Sequence, residues 1–188
     1  MTAPLARTNE EAHLFLELHP CPCGEPDFEP TSSLSQVGDD WICRYSGECA
    51  ACGRPRAYEF RQPAEITIPD ETVWADGDRP SELLDAGEWL WVADTYASRS
   101  TDHFNLSASA RRQLRTDLLA ARAAVLEVLK FLPGDAGEVP DTAFWSERGR
   151  AVRDAEPGRF GRVRLEAARA AYDRMLAELA DSEEGDAW

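Results

Sequence analysis

The spacing of hydrophobic residues along this chain of 188 residues changes from helical to alternating and back again. The segment from Thr8 to Glu11 has the Ser/Thr-x-x-Glu pattern of a capping box, and Ala12, Phe15 and Leu16 follow at helical intervals. A proline disfavours the helical conformation of the residue before it, so Pro20 should end the helix. The first element predicted is therefore a helix over residues 8–19.

Hydrophobic and polar residues that alternate between positions 35 and 61 predict a small antiparallel sheet of three strands. Strands at 35–37 and 41–45 flank Gly38-Asp39-Asp40, a hairpin turn, and a third strand covers 57–61, where Tyr58 and Phe60 alternate with polar residues. Residues 63–84 are rich in Pro, Asp and Gly, which predicts an irregular connection with one short extended piece at 66–68.

Helical spacing returns at Asp85, which opens a second capping pattern, and the helix that follows carries Trp89 and Trp91 on different sides. Hydrophobic residues three and four apart then predict a long amphipathic helix over 114–132 and a last helix over 165–179. Residues 141–155 predict a shorter helix, which Gly149 weakens because glycine costs about 1 kcal/mol relative to alanine in a helix.

Together these patterns predict an α+β fold, with a small antiparallel zinc-ribbon-like sheet near the N-terminus and a mainly α-helical remainder of three to four helices. The expected divisions are an N-terminal helix plus sheet module at 1–62, an irregular acidic connection at 63–84, a helical region at 85–180 packed on the module, and an acidic tail at 181–188.

Charge narrows the range of partners. The chain has 35 acidic and 20 basic residues, a formal net charge of -15, which disfavours binding to a phosphate backbone or an anionic membrane. Residues 63–105 form the acidic pole, with ten acidic and two basic residues. No stretch approaches the roughly 20 apolar residues of a membrane span, and the N-terminus lacks the pattern of a secretory signal. We therefore expect a cytoplasmic protein.

Five cysteines in a protein without an export signal favour metal binding over disulfides, because the cytosol keeps thiols reduced and an odd number cannot pair completely. Four of them form two close pairs, Cys21-Pro22-Cys23-Gly24 and Cys49-Ala50-Ala51-Cys52-Gly53. Four thiolates are the ligand set of a structural zinc site. Each following glycine can adopt a positive φ, so that the turn directs its amides toward the sulfurs.

Two such knuckles on either side of a small sheet resemble a zinc ribbon, a resemblance that covers residues 21–53 only and is to a fold motif, with no full-length family recognised. The second pair matches the usual CxxCG knuckle, whereas the first has one residue between its cysteines instead of two. The string Pro-Cys-Pro-Cys-Gly also resembles the opening of the SEC-C zinc motif, although the later parts of that motif are missing. The resemblance supports structural Zn²⁺ on Cys21, Cys23, Cys49 and Cys52.

Three alternatives to this assignment remain open. The four cysteines could be reduced, partly buried thiols without a metal. His19 could replace Cys21 as a ligand, since its spacing to Cys23 is also workable. Cys43 could replace one of the four, but it shares an alternation face with Trp41 and Tyr45, which favours packing in the core.

The sequence offers little catalytic machinery. It has three histidines, His13, His19 and His103, and none of the nucleophile, phosphate-binding or dinucleotide-binding motifs. Asp76-Gly77-Asp78 lacks the other ligands of a calcium loop, so we interpret it as a solvated turn. Four cysteines would also close the coordination sphere of a zinc ion, so we expect no catalytic residues and no enzyme activity.

The leading hypothesis is a non-catalytic, zinc-stabilised protein-interaction protein, acidic enough to act as an inhibitor or immunity-type binder of a basic protein partner. The alternative is a nucleic-acid-associated zinc-ribbon accessory factor, whose C-terminal arginines would contact phosphates. A third is an unrecognised enzyme with a pocket that joins His103 to Asp94 and Asp102.

Overall fold

A computed structural model describes residues 3–63, 74–75, 77–99 and 107–185. Within these ranges the chain has the predicted α+β fold, with one helix before a three-stranded antiparallel sheet and four α-helices after it. The elements in chain order are α1 (Asn9–Leu18), β1 (Thr31–Val37), β2 (Asp40–Glu48), β3 (Pro55–Gln62), α2 (Ala86–Ser98), α3 (Ala108–Leu129), α4 (Glu147–Ala155) and α5 (Arg162–Gly185). Two short 3-10 helices cover Asp141–Ala143 and Pro157–Phe160.

The chain divides into two compact units, which we describe separately. The sheet unit comprises Met1–Pro69 with Ser81–Leu83, and the helical unit comprises Asp70–Pro80 with Leu84–Trp188. No helix in the described part of the chain has both the length and the apolar composition needed to cross a membrane.

The sheet has the order β1-β2-β3, and each neighbouring pair is antiparallel. Val37 pairs with Asp40, so the hairpin turn consists of Gly38 and Asp39. Gly38 has a φ of 64°, a conformation typical of two-residue hairpin turns that glycine adopts without strain. The three predicted strands are confirmed. Strand β1 begins four residues earlier than predicted, and the prediction missed these residues because Thr31–Leu34 does not alternate hydrophobic and polar residues.

Helix α1 covers one face of the sheet. The Phe15 ring lies edge-on to Phe60, with centroids 5.4 Å apart, and the Tyr45 hydroxyl donates to Asn9 Oδ1 at 2.7 Å. At the start of the helix Thr8 is the N-cap, as predicted. Thr8 Oγ1 accepts from the Glu11 amide at 3.1 Å, and the Glu11 carboxylate accepts from the Arg7 amide and guanidinium.

In the helical unit α2 packs against α3 and α4, and α3 also packs against α5. Trp89 is fully buried, whereas Trp91 is 37% exposed and the Arg148 guanidinium lies 4.7 Å from the centroid of its ring. The two tryptophans thus lie on different sides of α2, as predicted. The core also contains one face of α3 and two phenylalanines, namely Leu118, Ala121, Ala124, Val125, Val128, Phe144 and Phe160.

Some helix boundaries differ from the prediction. Residues 141–155 do not form one helix, because Phe144 to Ser146 interrupt it and α4 begins only at Glu147. Helix α3 begins at Ala108, earlier than predicted, and α5 continues to Gly185, into the segment expected to be a frayed acidic tail. The extended piece predicted at 66–68 lies outside the described residues.

A buried carboxylate joins the N-termini of α2 and α4. Asp85 Oδ1 accepts from the Glu88 amide at 2.9 Å, which caps α2, and Asp85 Oδ2 accepts from the amides of Trp145 and Ser146 at 3.0 and 2.7 Å. The Ser146 hydroxyl in turn accepts from the Gly149 amide and caps α4. This shared acceptor explains the break in residues 141–155, since amides that bond to Asp85 cannot continue a helix.

Two glycines allow the helices to approach this closely. A Cβ at Gly149 would overlap the Asp85 carboxylate, and a Cβ at Gly87 would overlap the Gly149 backbone. Any side chain at either position would therefore push α2 and α4 apart. We refer to Asp85, Gly87, Glu88, Ser146 and Gly149 as the helix junction.

We predict that Gly149→Ala lowers the free energy of unfolding of the helical unit by about 2–4 kcal/mol, because it combines overpacking with loss of hydrogen bonds to a buried carboxylate. Gly158→Ala is the matched control, since a Cβ there meets no atom within 4 Å. Denaturant titration followed by tryptophan fluorescence measures both, and five of the six tryptophans lie at or after Trp74. Equal stability of the two variants would contradict the role of the junction.

Glu88 is a buried acid within the junction. Its side chain accepts from the Asp85 amide at 3.2 Å, completing the capping box predicted for α2. Burial, with a smaller contribution from the charge on Asp85, raises the pKa of Glu88 to about 7 against the opposing effects of the Asp85 amide and Arg148. A protonated Glu88 is therefore favoured by folding, and its stabilising contribution is complete below about pH 4.5 and lost as the pH rises through 7.

Replacing Glu88 by glutamine should remove this pH dependence. We expect the stability of Glu88→Gln relative to wild type to increase by about 1–3 kcal/mol between pH 5 and pH 8, since only the wild type has to ionise a buried acid. Glu147→Gln, which changes an exposed glutamate of the same unit, controls for the loss of one carboxylate. A stability difference between Glu88→Gln and wild type that is the same at both pH values would refute the assignment.

Candidate metal centre

The first pair of cysteines lies in a tight turn between α1 and β1. The Gly24 amide donates to the Cys21 carbonyl at 2.8 Å, and the Cys21 amide donates to the Glu25 carbonyl at 3.0 Å. Gly24 has a φ of 93°, in the left-handed region where a side chain would be strained. The turn therefore needs glycine at this position, as the Cys-Gly pattern predicted.

The second pair lies in an equivalent turn between β2 and β3. The Gly53 amide donates to the Cys49 carbonyl at 2.8 Å, the Cys49 amide donates to the Arg54 carbonyl at 3.0 Å, and Gly53 has a φ of 69°. Each closing hydrogen bond spans one residue more than its counterpart in the first turn. The one-residue gap between Cys21 and Cys23 thus gives a knuckle that is one residue shorter but closed in the same way.

These two turns bring the four sulfur atoms together. Cys21 Sγ lies 3.6 Å from Cys52 Sγ, Cys23 Sγ lies 3.6 Å from Cys49 Sγ, and the four ligand atoms are all within 4.8 Å of one another. Zinc–sulfur bonds of about 2.3 Å in a tetrahedron require sulfurs about 3.8 Å apart. None of the four forms a disulfide. The four cysteines are therefore positioned to bind a metal ion.

Hydrogen bonds within the knuckles affect the sulfurs unequally. The amides of Cys52 and Ala51 lower the pKa of Cys49 to about 7. The Glu25 amide lowers the pKa of Cys23, but hydrogen bonds with the other three thiols outweigh it and raise the value to about 12. Without a cation, ionising one sulfur thus makes its neighbours harder to ionise.

Arg56 is a buried residue of β3 that the sequence analysis did not single out. It follows Cys52 by four residues, and its Nη2 donates at 2.7 Å to the carbonyl of His19, two residues before Cys21. Its guanidinium lies 4.1 Å from the centroid of the Phe28 ring. Within the described part of the chain, its Nε and Nη1 atoms are buried without a hydrogen-bond partner.

The two alternative ligands lie elsewhere. His19 stacks on Phe15 with centroids 3.9 Å apart, and its Nδ1 lies 2.8 Å from the Phe15 carbonyl, so the end of α1 holds the ring. Cys43 pairs with Leu34 and Phe60 in the sheet and is not part of the cysteine cluster. Its predicted place on the face of Trp41 and Tyr45 is confirmed by this register.

Of the residues considered for catalysis, His13 and Asp94 lie in the described part of the chain. His13 is exposed and lies edge-on to Tyr45, with ring centroids 5.5 Å apart, and His103 and Asp102 lie outside the described residues. Asp94 accepts two hydrogen bonds from Arg159, at 2.6 and 2.8 Å. Asp94 is therefore already committed to an ion pair within the helical unit.

The helical unit contains a cavity of about 460 Å³, a feature that sequence patterns could not reveal. Charged residues of both signs line it, and several bond to one another or to the backbone. Lys130 Nζ donates to Glu127 Oε1 at 2.8 Å and to the Ala75 carbonyl at 2.7 Å, and Arg162 donates to the Gly134 carbonyl. These contacts give the charged walls a structural role.

In comparisons with protein-family models, curated proteins and solved structures, no match to this chain was found. The likeness to a zinc ribbon therefore depends on the cysteine spacing and on the geometry of the two knuckles alone.

Proposed function

We propose that this chain is a non-catalytic protein-interaction protein whose sheet unit is held together by a structural zinc ion on Cys21, Cys23, Cys49 and Cys52. The observation that carries the proposal is the set of four sulfurs within 4.8 Å of one another, supplied by two turns closed by the same hydrogen bonds. Soft thiolate ligands in a tetrahedral arrangement favour zinc over magnesium or calcium, which prefer oxygen.

The absence of enzyme activity is part of this proposal. A catalytic zinc site keeps an open position for water or substrate, whereas four thiolates complete the tetrahedron. The metal would therefore stabilise the two knuckles and the strands that leave them, and the chemistry of the protein would be recognition.

We infer a basic protein as the partner. The net charge of -15, concentrated in residues 63–105, would attract and orient a basic surface, as an inhibitor or immunity-type protein requires. The arginines of the C-terminal region are less available for phosphates than their number suggests. Arg159 pairs with Asp94, Arg153 with Asp141 and Arg164 with Glu156. These ion pairs disfavour the nucleic-acid alternative.

Removal of one ligand should remove the metal. We expect purified wild type to contain about one zinc per chain by elemental analysis, and Cys49→Ser to contain none and to lose several kcal/mol of stability in the sheet unit, because metal binding is coupled to folding. Cys43→Ala is the matched control. It should keep its zinc and lose only a modest packing contribution, since Cys43 lies outside the cluster.

Metal-free wild type, purified without chelators, would refute the zinc site. Loss of zinc from Cys43→Ala would instead assign Cys43 as a ligand.

Association with the partner should depend on salt. We expect a basic protein captured from the native cytoplasm to associate more slowly as salt rises, because steering between surface charges is screened over about 8 Å at physiological ionic strength. Neutralising Asp70, Glu71, Asp76 and Asp78 should reduce both the on-rate and its salt dependence. As a control, we neutralise four other exposed acidic residues of the helical unit, which should have a smaller effect. They are Glu147, Asp154, Glu178 and Asp181.

An on-rate that changes neither with salt nor with the four substitutions in residues 70–78 would contradict the electrostatic argument. Recovery of RNA or DNA instead of protein would favour the nucleic-acid alternative.

A further inference from the structure

The two edges of the sheet differ. Residues Pro4–Ala6 pair with Arg61 at the outer edge of β3, where the Ala6 amide donates to the Arg61 carbonyl at 3.0 Å and the Arg61 amide donates to the Pro4 carbonyl at 2.9 Å. In the described part of the chain, no strand pairs with the outer edge of β1. The outer edge of β3 is thus paired at Arg61 by the chain itself, whereas the outer edge of β1 presents a row of backbone donors and acceptors.

Strand β1 also lacks the usual protection of an open edge. Proteins generally guard such edges with charged residues, prolines, bulges or very short strands. The seven residues of β1, TSSLSQV, contain no charge and no proline, and they pair with β2 one for one without a bulge. All seven are exposed. In a chain with 29% charged residues, this strand has the properties of an interaction edge.

An apolar strip lies beside this edge. Leu34 shares a face with Cys43 and Phe60, and Trp41 lies next to them on the same face. Phe60 is buried, whereas Leu34 is 57% and Trp41 39% exposed. The face that packs on α1 at one end of the sheet therefore continues as exposed apolar surface toward β1.

Acidic residues lie at both ends of β1. Glu29 precedes β1, Asp39 and Asp40 follow it, and all three are exposed. If β1 paired antiparallel with β1 of a second copy over its full length, Leu34 would face its own equivalent. Glu29 of each copy would then lie opposite Asp39 of the other, which places like charges together at both ends. Charge thus disfavours a second copy and favours a strand with basic ends.

We propose that the open edge of β1 is a docking site for an extended segment of a partner protein, which adds a fourth strand to the sheet and has an apolar centre and basic residues at both ends. Backbone hydrogen bonds to β1 provide binding energy, the Leu34–Trp41 strip selects apolar side chains, and the flanking carboxylates select lysine or arginine. This inference rests on the proposed function of binding a basic partner and adds the surface that the partner occupies.

The test uses the full-length, metal-loaded protein and a nine-residue peptide that has two lysines at each end and alternating valine and threonine in the centre. Two further peptides carry N-methyl groups on one or the other set of alternate central amides. In an added strand only alternate amides face the neighbour. We therefore expect one N-methylated peptide to lose binding by tenfold or more in fluorescence anisotropy, and the other to bind like the parent.

Variants of the protein test the same surface from the other side. Leu34→Lys should weaken binding of the parent peptide by tenfold or more, and Val163→Lys, which changes another exposed apolar residue in the helical unit, should change it less than twofold. Neutralising Glu29, Asp39 and Asp40 should remove most of the salt dependence, whereas neutralising Glu147, Asp154 and Glu178 should not. Hydrogen exchange should show new protection in β1 and none in Pro4–Ala6.

Three results would overturn the inference. Equal binding of both N-methylated peptides would mean attraction by charge alone. Self-association of wild type that is lost in Leu34→Lys would identify a second copy as the occupant. No binding of the parent peptide would exclude this edge as the docking site. If the peptide does not bind but a basic partner is captured with salt-dependent on-rates, the proposed function stands without this docking site. If the peptide binds at β1 but no basic partner is captured, the proposed function is contradicted and the docking site stands.

Discussion

Four sulfur atoms held within 4.8 Å of one another impose the strongest physical constraint on the sheet unit. Ionised thiols at these distances would repel. Hydrogen bonds with the other three thiols also raise the pKa of Cys23, which favours its protonated form. The chain nevertheless brings the four sulfurs together with two turns, each of which supplies two cysteines and has a left-handed glycine and matching hydrogen bonds. A divalent cation bound by all four sulfurs would offset this repulsion. It would also connect the turn that follows α1 with the turn between β2 and β3.

The helical unit meets a different constraint, which is the close approach of α2 and α4. Asp85 satisfies backbone amides from both helix starts, and the two glycines of the helix junction leave no room for a side chain between them. Burying Glu88 beside Asp85 is unfavourable for a charged acid, which accounts for its raised pKa. The helical unit thus depends on hydrogen bonds to a buried carboxylate as well as on apolar packing.

Local patterns were sufficient to predict the fold class, the hairpin turn and the cluster of cysteines. The knuckles are encoded within a few residues each, and the period of hydrophobic residues identifies most helices. What local patterns missed depends on partners distant in sequence. The break at Phe144–Ser146 arises from Asp85, about 60 residues earlier, and the burial of Arg56 arises from Phe28 and from the carbonyl of His19. The length of β1 was underestimated because serine and glutamine occupy most of its positions, so that its sequence lacks an alternation of hydrophobic and polar residues.

The helix junction also indicates how distant relatives of this chain could be recognised. Overall similarity fades quickly where surface residues are free to change, but an aspartate at a helix start, a glycine two residues later and a second glycine in the first turn of a later helix cannot be replaced independently. Together with the unequal spacing of CxC and CxxC, these positions form a sparse pattern spread over most of the chain. A sequence that keeps both parts of the pattern while differing elsewhere would be a candidate homologue, and one that keeps the cysteines alone would share only the knuckles.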